Sequence, residues 1–149
     1  MKIAVACDHG GLNLKNEVIR YLKENGYEYK DFGTDSCVSC DYPDFALPAA
    51  EAVSCGECDK GIIICSTGIG VSMVANKVPK VRCAHCHDCY CAEFTRRHND
   101  ANVLAMGEKV IGTGYALKIV ETFLVTEFEG GRHQRRVDKI TAIEKKYCK

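Results

Sequence analysis

The run Gly61-Ile-Ile-Ile-Cys65 restricts this chain more than any other feature. It has no polar alternation, so both faces of the strand it forms must be covered, as in a parallel sheet with helices packed on either side. Ile3–Cys7 repeats the pattern as a short all-apolar strand. Between and after these runs the apolar spacing turns helical. Leu14, Val18 and Leu22 mark a helix over residues 12–25 that Gly26 ends, and Phe45, Ala49, Ala52 and Val53 mark another over 44–54. Tyr27–Phe32, Val81–His85 and Asn102–Met106 read as further strands, with a loop carrying Gly33 and Asp41-Tyr42-Pro43 after the first of them. Helices follow near 71–77 and over 89–98, 113–126 and, after Gly130-Gly131, 132–146. The expectation is one α/β domain over residues 1–149: a Rossmann-like three-layer α/β/α sandwich on a five-stranded parallel sheet of order 2-1-3-4-5, with right-handed crossovers.

Length and composition fit that reading. A chain of 149 residues buries about two-thirds of its unfolded surface, enough for a core without disulfide staples. At 46% hydrophobic and 27% charged it is globular rather than disordered. No apolar run approaches the roughly 20 residues of a membrane helix. The N-terminus enters a strand directly with no signal-peptide pattern, which implies a cytoplasmic protein. Net charge is zero, but residues 132–149 hold 7 basic and 2 acidic side chains. A basic last helix suits a subunit interface as well as nucleic acid, and with a pI of 6.9 and no interleaved aromatics the expectation is no nucleic-acid partner.

Eleven cysteines are an odd number, so no closed disulfide framework uses them all. Cys37-x-x-Cys40 and Cys55-x-x-Cys58 approach zinc-ribbon spacing. The helix between them, however, holds the pairs roughly 16 Å apart at 1.5 Å per residue, too far for one metal. Cys83-x-His85-Cys86-His87-x-Cys89-x-Cys91 is a metal-capable tract, read here as a strand, a turn and a first helical turn.

In such sheets ligands bind beyond the carboxyl ends of the strands. Strand one ends in Asp8-His9-Gly10-Gly11, and strand three in Cys65-Ser66-Thr67-Gly68-Ile69-Gly70-Val71-Ser72. The second loop opens a helix, so its N–H groups can face an anion or a developing oxyanion, although a tight turn would need glycine too. A dinucleotide fingerprint and a P-loop lysine are both missing, and a cysteine phosphatase would need arginine where Val71 stands. Cys65 lies just before a helix N-terminus, where a thiolate is favoured. Thr67 puts a hydroxyl beside it, and His98 ends the helix after strand four. Arg132 and Arg136, four apart on the last helix, suit a forked clamp on phosphate. Together these point to proton abstraction next to a carbonyl on a phosphorylated sugar.

The set Asp8-His9-Gly-Gly, Asp41-Tyr-Pro, Cys65-Ser-Thr-Gly-Ile-Gly-Val-Ser, Ala75-Asn-Lys, His98-Asn-Asp-Ala-Asn and Gly130-Gly-Arg-His resembles type B ribose-5-phosphate isomerase along the whole chain. That family also holds the allose-6-phosphate and galactose-6-phosphate isomerases. The resemblance implies interconversion of ribose 5-phosphate and ribulose 5-phosphate through a cis-enediol(ate), in the non-oxidative pentose phosphate pathway, with no metal and no organic cofactor. It implies Cys65 as the base between C2 and C1, Thr67 for the proton between O1 and O2, and His98 with Asp8 for ring opening. The N–H groups of Ser66, Thr67, Gly68, Ile69, Gly70, Val71 and Ser72, with Asn99, would form the anion hole. His9, Arg132 and Arg136 would hold phosphate, with Lys109 where the family often has arginine. Ser66 stands where glycine is usual, and Val71 where another branch carries a glutamate base. Members are dimers, in some cases tetramers, with His98 and Asn99 entering the partner's site and the last helix at the interface. Two further readings stand beside this one: a noncatalytic sugar-phosphate-binding subunit, as in two-chain galactose-6-phosphate isomerases, and a metal- or redox-responsive protein built on the cysteine excess.

Overall fold

The computed structural model describes residues 1–147. Five parallel strands form one sheet: β1 (Lys2–Cys7), β2 (Glu28–Asp31), β3 (Lys60–Cys65), β4 (Cys83–His85) and β5 (Val103–Gly107). The helices are α1 (Leu12–Glu24), α2 (Pro43–Ser54), α3 (Ile69–Ala75), α4 (Cys89–Asn99), α5 (Thr113–Val125) and α6 (Arg132–Tyr147). The sequence placed all of these elements, with ends shifted by a residue or two.

The sheet order corrects one expectation. It is β2-β1-β3-β5-β4 rather than 2-1-3-4-5. β5 pairs with β3 from Gly61↔Val103 to Cys65↔Gly107 and with β4 on its other side. The reason lies in the side chains. Val103-Leu-Ala-Met-Gly107 is buried throughout and suits an interior position, whereas Cys83-Ala-His85 is short, partly exposed and suits an edge.

Alternation along the strands divides the core in two. Ile3, Val5, Ile62, Ile64, Leu104 and Met106 face one side, against Leu14, Val18 and Leu22 of α1, Ala92 of α4 and Ile119 and Phe123 of α5. Ala4, Ala6, Ile63, Cys65, Val103 and Ala105 face the other, against Ala46, Ala49 and Ala50 of α2 and Val71 and Ala75 of α3. Alanine on both sides of that second layer lets α2 lie close to the sheet. Cys65 therefore belongs to the α2/α3 layer, at the carboxyl end of a central strand.

Lys15, fully buried, ties α1 to the segment after β2. Its Nζ donates to Asp31 at 2.7 Å, to the Thr34 carbonyl at 2.9 Å and to Asp35 at 3.3 Å. α6 packs differently from the other helices. Only His133 and Val137 are buried among its described side chains, while Ile140, Ile143 and Tyr147 stand exposed.

Candidate active site

Three loops meet at the carboxyl edge of the sheet, and backbone hydrogen bonds fasten them. The Asp8 N–H donates to the Ile64 carbonyl at 3.3 Å, and the Lys109 N–H donates to the Ser66 carbonyl at 3.1 Å. Gly10 is pressed against Ser66, so a side chain at Gly10 would collide with the Ser66 hydroxyl. Asp8 is buried, and its carboxylate accepts the Gly10 N–H at 2.9 Å, which shapes the short 3-10 turn over His9–Gly11.

The loop after β3 is the chemical centre of this edge. Cys65 is 6% exposed, and its Sγ accepts the Gly68 N–H at 3.0 Å. A backbone donor aimed at the sulfur stabilises negative charge that develops there. Gly68 is at φ +80, the left-handed region that favours glycine. A Cβ there would also meet His85 Nε2 at 2.6 Å and the Met106 backbone carbon at 2.7 Å. Thr67 is exposed, and its Oγ1 accepts the Ile69 N–H at 3.3 Å. Ile69, Gly70 and Val71 form the first turn of α3, where N–H groups lack intrahelical partners. The Ser72 N–H instead closes onto the Gly68 carbonyl at 3.2 Å, and its hydroxyl donates to the Ile69 carbonyl at 2.7 Å.

His9 is oriented by a residue whose role the sequence left unassigned. The Cys40 N–H donates to His9 Nδ1 at 3.2 Å. With Nδ1 accepting, the ring proton sits on Nε2, which has no partner among the described residues and can donate to an anion.

Sequence reasoning met His85 in the metal-capable tract and Tyr42 in the Asp41-Tyr-Pro motif, but gave neither a role at this loop. His85 Nε2 lies 2.7 Å from the Thr67 carbonyl oxygen, bracing the loop from β4. The Tyr42 ring packs so closely over Gly70 that no side chain fits there. Glu108 accepts the Leu14 N–H at 2.8 Å and Asn13 Nδ2 at 3.0 Å, capping the start of α1 beside the same edge.

His98, Asn99, Arg132 and Arg136 are not brought to Cys65 within one chain. α4 runs back from the carboxyl end of β4, and its eleven residues carry the chain roughly 16 Å. Its last residues therefore sit beside the start of β5, at the opposite edge of the sheet. Asp100 fixes that end in a left-handed turn at φ 47, bonded to Arg96 Nη1 at 2.9 Å and Arg82 Nη2 at 3.0 Å. Arg82 Nε also donates to the Asn99 carbonyl at 3.2 Å. His98 stacks on His133 with ring centroids 4.0 Å apart. Glu129 lies against both histidines and accepts Arg97 Nε at 2.6 Å, which pulls its carboxyl below the ordinary range. Burial, then His98 and Arg132, push the His133 imidazole down. Among the described residues, Arg132 and Arg136 pair with no carboxylate and stay exposed.

Among the described residues, Cys7, Cys58, Cys65 and Cys86 are buried, whereas Cys37, Cys55 and Cys91 are exposed. Burial pushes the Cys7, Cys83 and Cys86 thiols up to about 12, where they are inert. α2 lies between the two Cys-x-x-Cys pairs, as the argument against a zinc ribbon requires.

The chain is similar to known proteins over nearly its whole length. The family model described as Ribose/Galactose Isomerase matches residues 3–140. Ribose-5-phosphate isomerase B of Escherichia coli is 49% identical over 145 residues, covering 97% of each chain. The structure of ribose-5-phosphate isomerase B from Clostridium thermocellum superposes with a TM-score of 0.97 at 58% identity, covering 99% of each chain. That of ribose-5-phosphate isomerase B from Mycoplasma genitalium with bound ribulose-5-phosphate gives a TM-score of 0.92 at 42% identity, covering 97% of this chain and 96% of that one. The chain belongs to the ribose/galactose isomerase family.

Proposed function

We propose that this protein interconverts ribose 5-phosphate and ribulose 5-phosphate by proton transfer through a cis-enediolate, with Cys65 as the base. The observation that carries the reading is the Cys65 sulfur at the end of a central strand, with the Gly68 N–H 3.0 Å away. As a thiolate, Cys65 takes the proton from C2 of the open-chain aldose and returns it to C1, so the thiolate is regenerated and no atom is gained or lost. The Thr67 hydroxyl passes the proton between O1 and O2. Charge developing on those oxygens meets the N–H groups at the start of α3 and Asn99. His9, through its free Nε2–H, and the exposed Arg132 and Arg136 bind the phosphate, and Lys109 lies at the same rim.

A second copy of the chain completes this site. His98 and Asn99 lie at the far edge of their own sheet, yet ring opening by His98, assisted by Asp8, needs them beside Cys65. A homodimer that brings α4 and α6 of one copy to the β3 loop of the other satisfies both requirements. The exposed Ile140, Ile143 and Tyr147, lining a groove of about 480 Å³ with Val81 and Ala101, are the apolar surface such an interface would cover.

Steady-state isomerisation by the purified protein tests the reading, with ribose 5-phosphate, allose 6-phosphate and galactose 6-phosphate compared in EDTA. Turnover of ribose 5-phosphate is expected. Turnover confined to a hexose phosphate would keep the chemistry and change the substrate. No turnover by the homomeric protein would overturn the reading in favour of a binding subunit.

A further inference from the structure

Between α4 and α6, three ligand atoms from two stretches of the chain converge. One ring nitrogen from each of His98 and His133 and a Glu129 carboxylate oxygen lie within 4.8 Å of one another. Glu129 Oε2 is 3.8 Å from His98 Nε2 and 3.5 Å from His133 Nε2. Ligands set tetrahedrally at about 2.0–2.1 Å from zinc stand about 3.3–3.4 Å from each other. The two observed spacings are therefore within about half an ångström of a metal site.

The surroundings prepare the carboxylate. Arg97 holds Oε1 at 2.6 Å, which turns Oε2 toward the histidines in the manner of an outer-shell partner. His133 is anchored in the first turn of α6, where its N–H donates to the Gly130 carbonyl at 3.0 Å. His98 is the adjustable member. Its side chain is 35% exposed, and it can turn out of its stack on His133 to direct Nε2 at an ion.

We infer that His98, Glu129 and His133 form a site for one divalent transition-metal ion of the zinc class, and that filling it inhibits the enzyme. Two imidazoles and one carboxylate suit zinc, nickel or copper rather than magnesium or calcium, which take oxygen ligands. Arg97, Arg132 and Arg136 repel a cation, so only ions with strong nitrogen affinity overcome them. An ion held here ties up His98 Nε2. The inhibitory half of the inference rests on the ring-opening role proposed for His98, whereas the binding half does not.

Nitrogen-15 NMR of the imidazoles in the full-length protein tests the site, since it has only 5 histidines. On addition of zinc the His98 and His133 resonances are expected to move, while those of His9, His85 and His87 stay. Cobalt is expected to give d–d absorption without a sulfur-to-cobalt charge-transfer band. Glu129→Gln is expected to weaken zinc binding at least about tenfold, a loss that even an outer-shell change produces. Unmoved His98 and His133 signals, or cobalt bound through thiolate alone, would overturn the site. Zinc is also expected to slow turnover of ring-form ribose 5-phosphate, reversibly with EDTA. In Glu129→Gln the inhibition should need at least about tenfold more zinc, relative to that variant's own metal-free rate. Moved signals with undiminished turnover would refute inhibition and the role of His98 while leaving the ion site standing. A protein with no metal-free turnover would refute the isomerase reading and the inhibition together, and the NMR result would still decide the site.

Discussion

Replacing Gly68 by alanine separates the backbone geometry of the β3 loop from the stability of the fold. At φ +80 an added Cβ costs about 1–2 kcal/mol from conformation alone. It would also lie 2.6 Å from His85 Nε2 and 2.7 Å from the Met106 backbone carbon. His85 can rotate, but Met106 belongs to a buried central strand, so the loop must move instead. That movement withdraws the Gly68 N–H from Cys65 Sγ. A hydrogen bond to a charged partner is worth about 1.5–3 kcal/mol. If the whole of it serves to hold Cys65 in the thiolate form that acts as base, its loss lowers the active fraction, and with it kcat, about 10- to 100-fold. Gly26→Ala is the matching control. Gly26 has φ +72 with nothing within 4 Å of an added Cβ, so it carries the conformational cost without the clash. At about 2–4 °C per kcal/mol, Gly26→Ala is expected to lower Tm by about 2–8 °C and to leave kcat unchanged. Gly68→Ala is expected to show at least that thermal loss together with the loss of kcat. A Gly68→Ala enzyme within about twofold of wild-type kcat would refute the reasoning, as would equal losses of kcat in both variants.

Lys60 gives a test by pH. Burial, with the Arg96 charge as a lesser cause, lowers its ammonium to about 8 from the ordinary 10.5, although Nζ donates to the Leu124 carbonyl at 3.1 Å. The folded state then binds fewer protons than the unfolded state between those values, so stability rises with pH across that window. Relative to Lys60→Met, the wild type is expected to gain up to about 3 kcal/mol between pH 8 and 10.5 in urea unfolding, and parallel profiles would contradict this. Ile143→Glu places a charge on the exposed apolar face of α6 and is expected to yield a folded monomer by sedimentation with little turnover. Complementation examines the shared site more directly. Cys65→Ala and His98→Ala, each inactive alone, are expected to regain about a quarter of wild-type activity when unfolded and refolded together, since random pairing leaves one intact site in half of the dimers.

Much of this could be read from the chain, because period and punctuation are local properties. The helices announce themselves by their spacing and the strands by unbroken apolar runs. The β3 loop stands out because a strand end, two glycines and a helix start fall within eight residues. Sheet order is not local, and strands met in sequence as four and five need not lie in that order across the sheet. The contrast between Val103-Leu-Ala-Met-Gly107 and Cys83-Ala-His85 was the available signal for which strand is interior. Contacts across long loops left no pattern to read. Nothing in the spacing ties Cys40 to His9, His85 to the Thr67 carbonyl, or Lys15 to Asp31. Glu129 meets His133 four residues on, but it meets His98 only because α4 and α6 pack together, and a lone glutamate before a glycine pair gives no hint of that.

The central claim is that the Cys65 sulfur moves the substrate proton. Cys65→Ala tests it, measured by ribose 5-phosphate turnover and by incorporation of solvent deuterium at the reacting carbons. The expected result is an intact fold by circular dichroism, turnover reduced at least about 100-fold as for loss of a general base, and no deuterium uptake beyond the uncatalysed rate. A Cys65→Ala protein that still isomerises ribose 5-phosphate within about tenfold of wild type, with solvent deuterium entering the product, would contradict the claim and place the base on another residue.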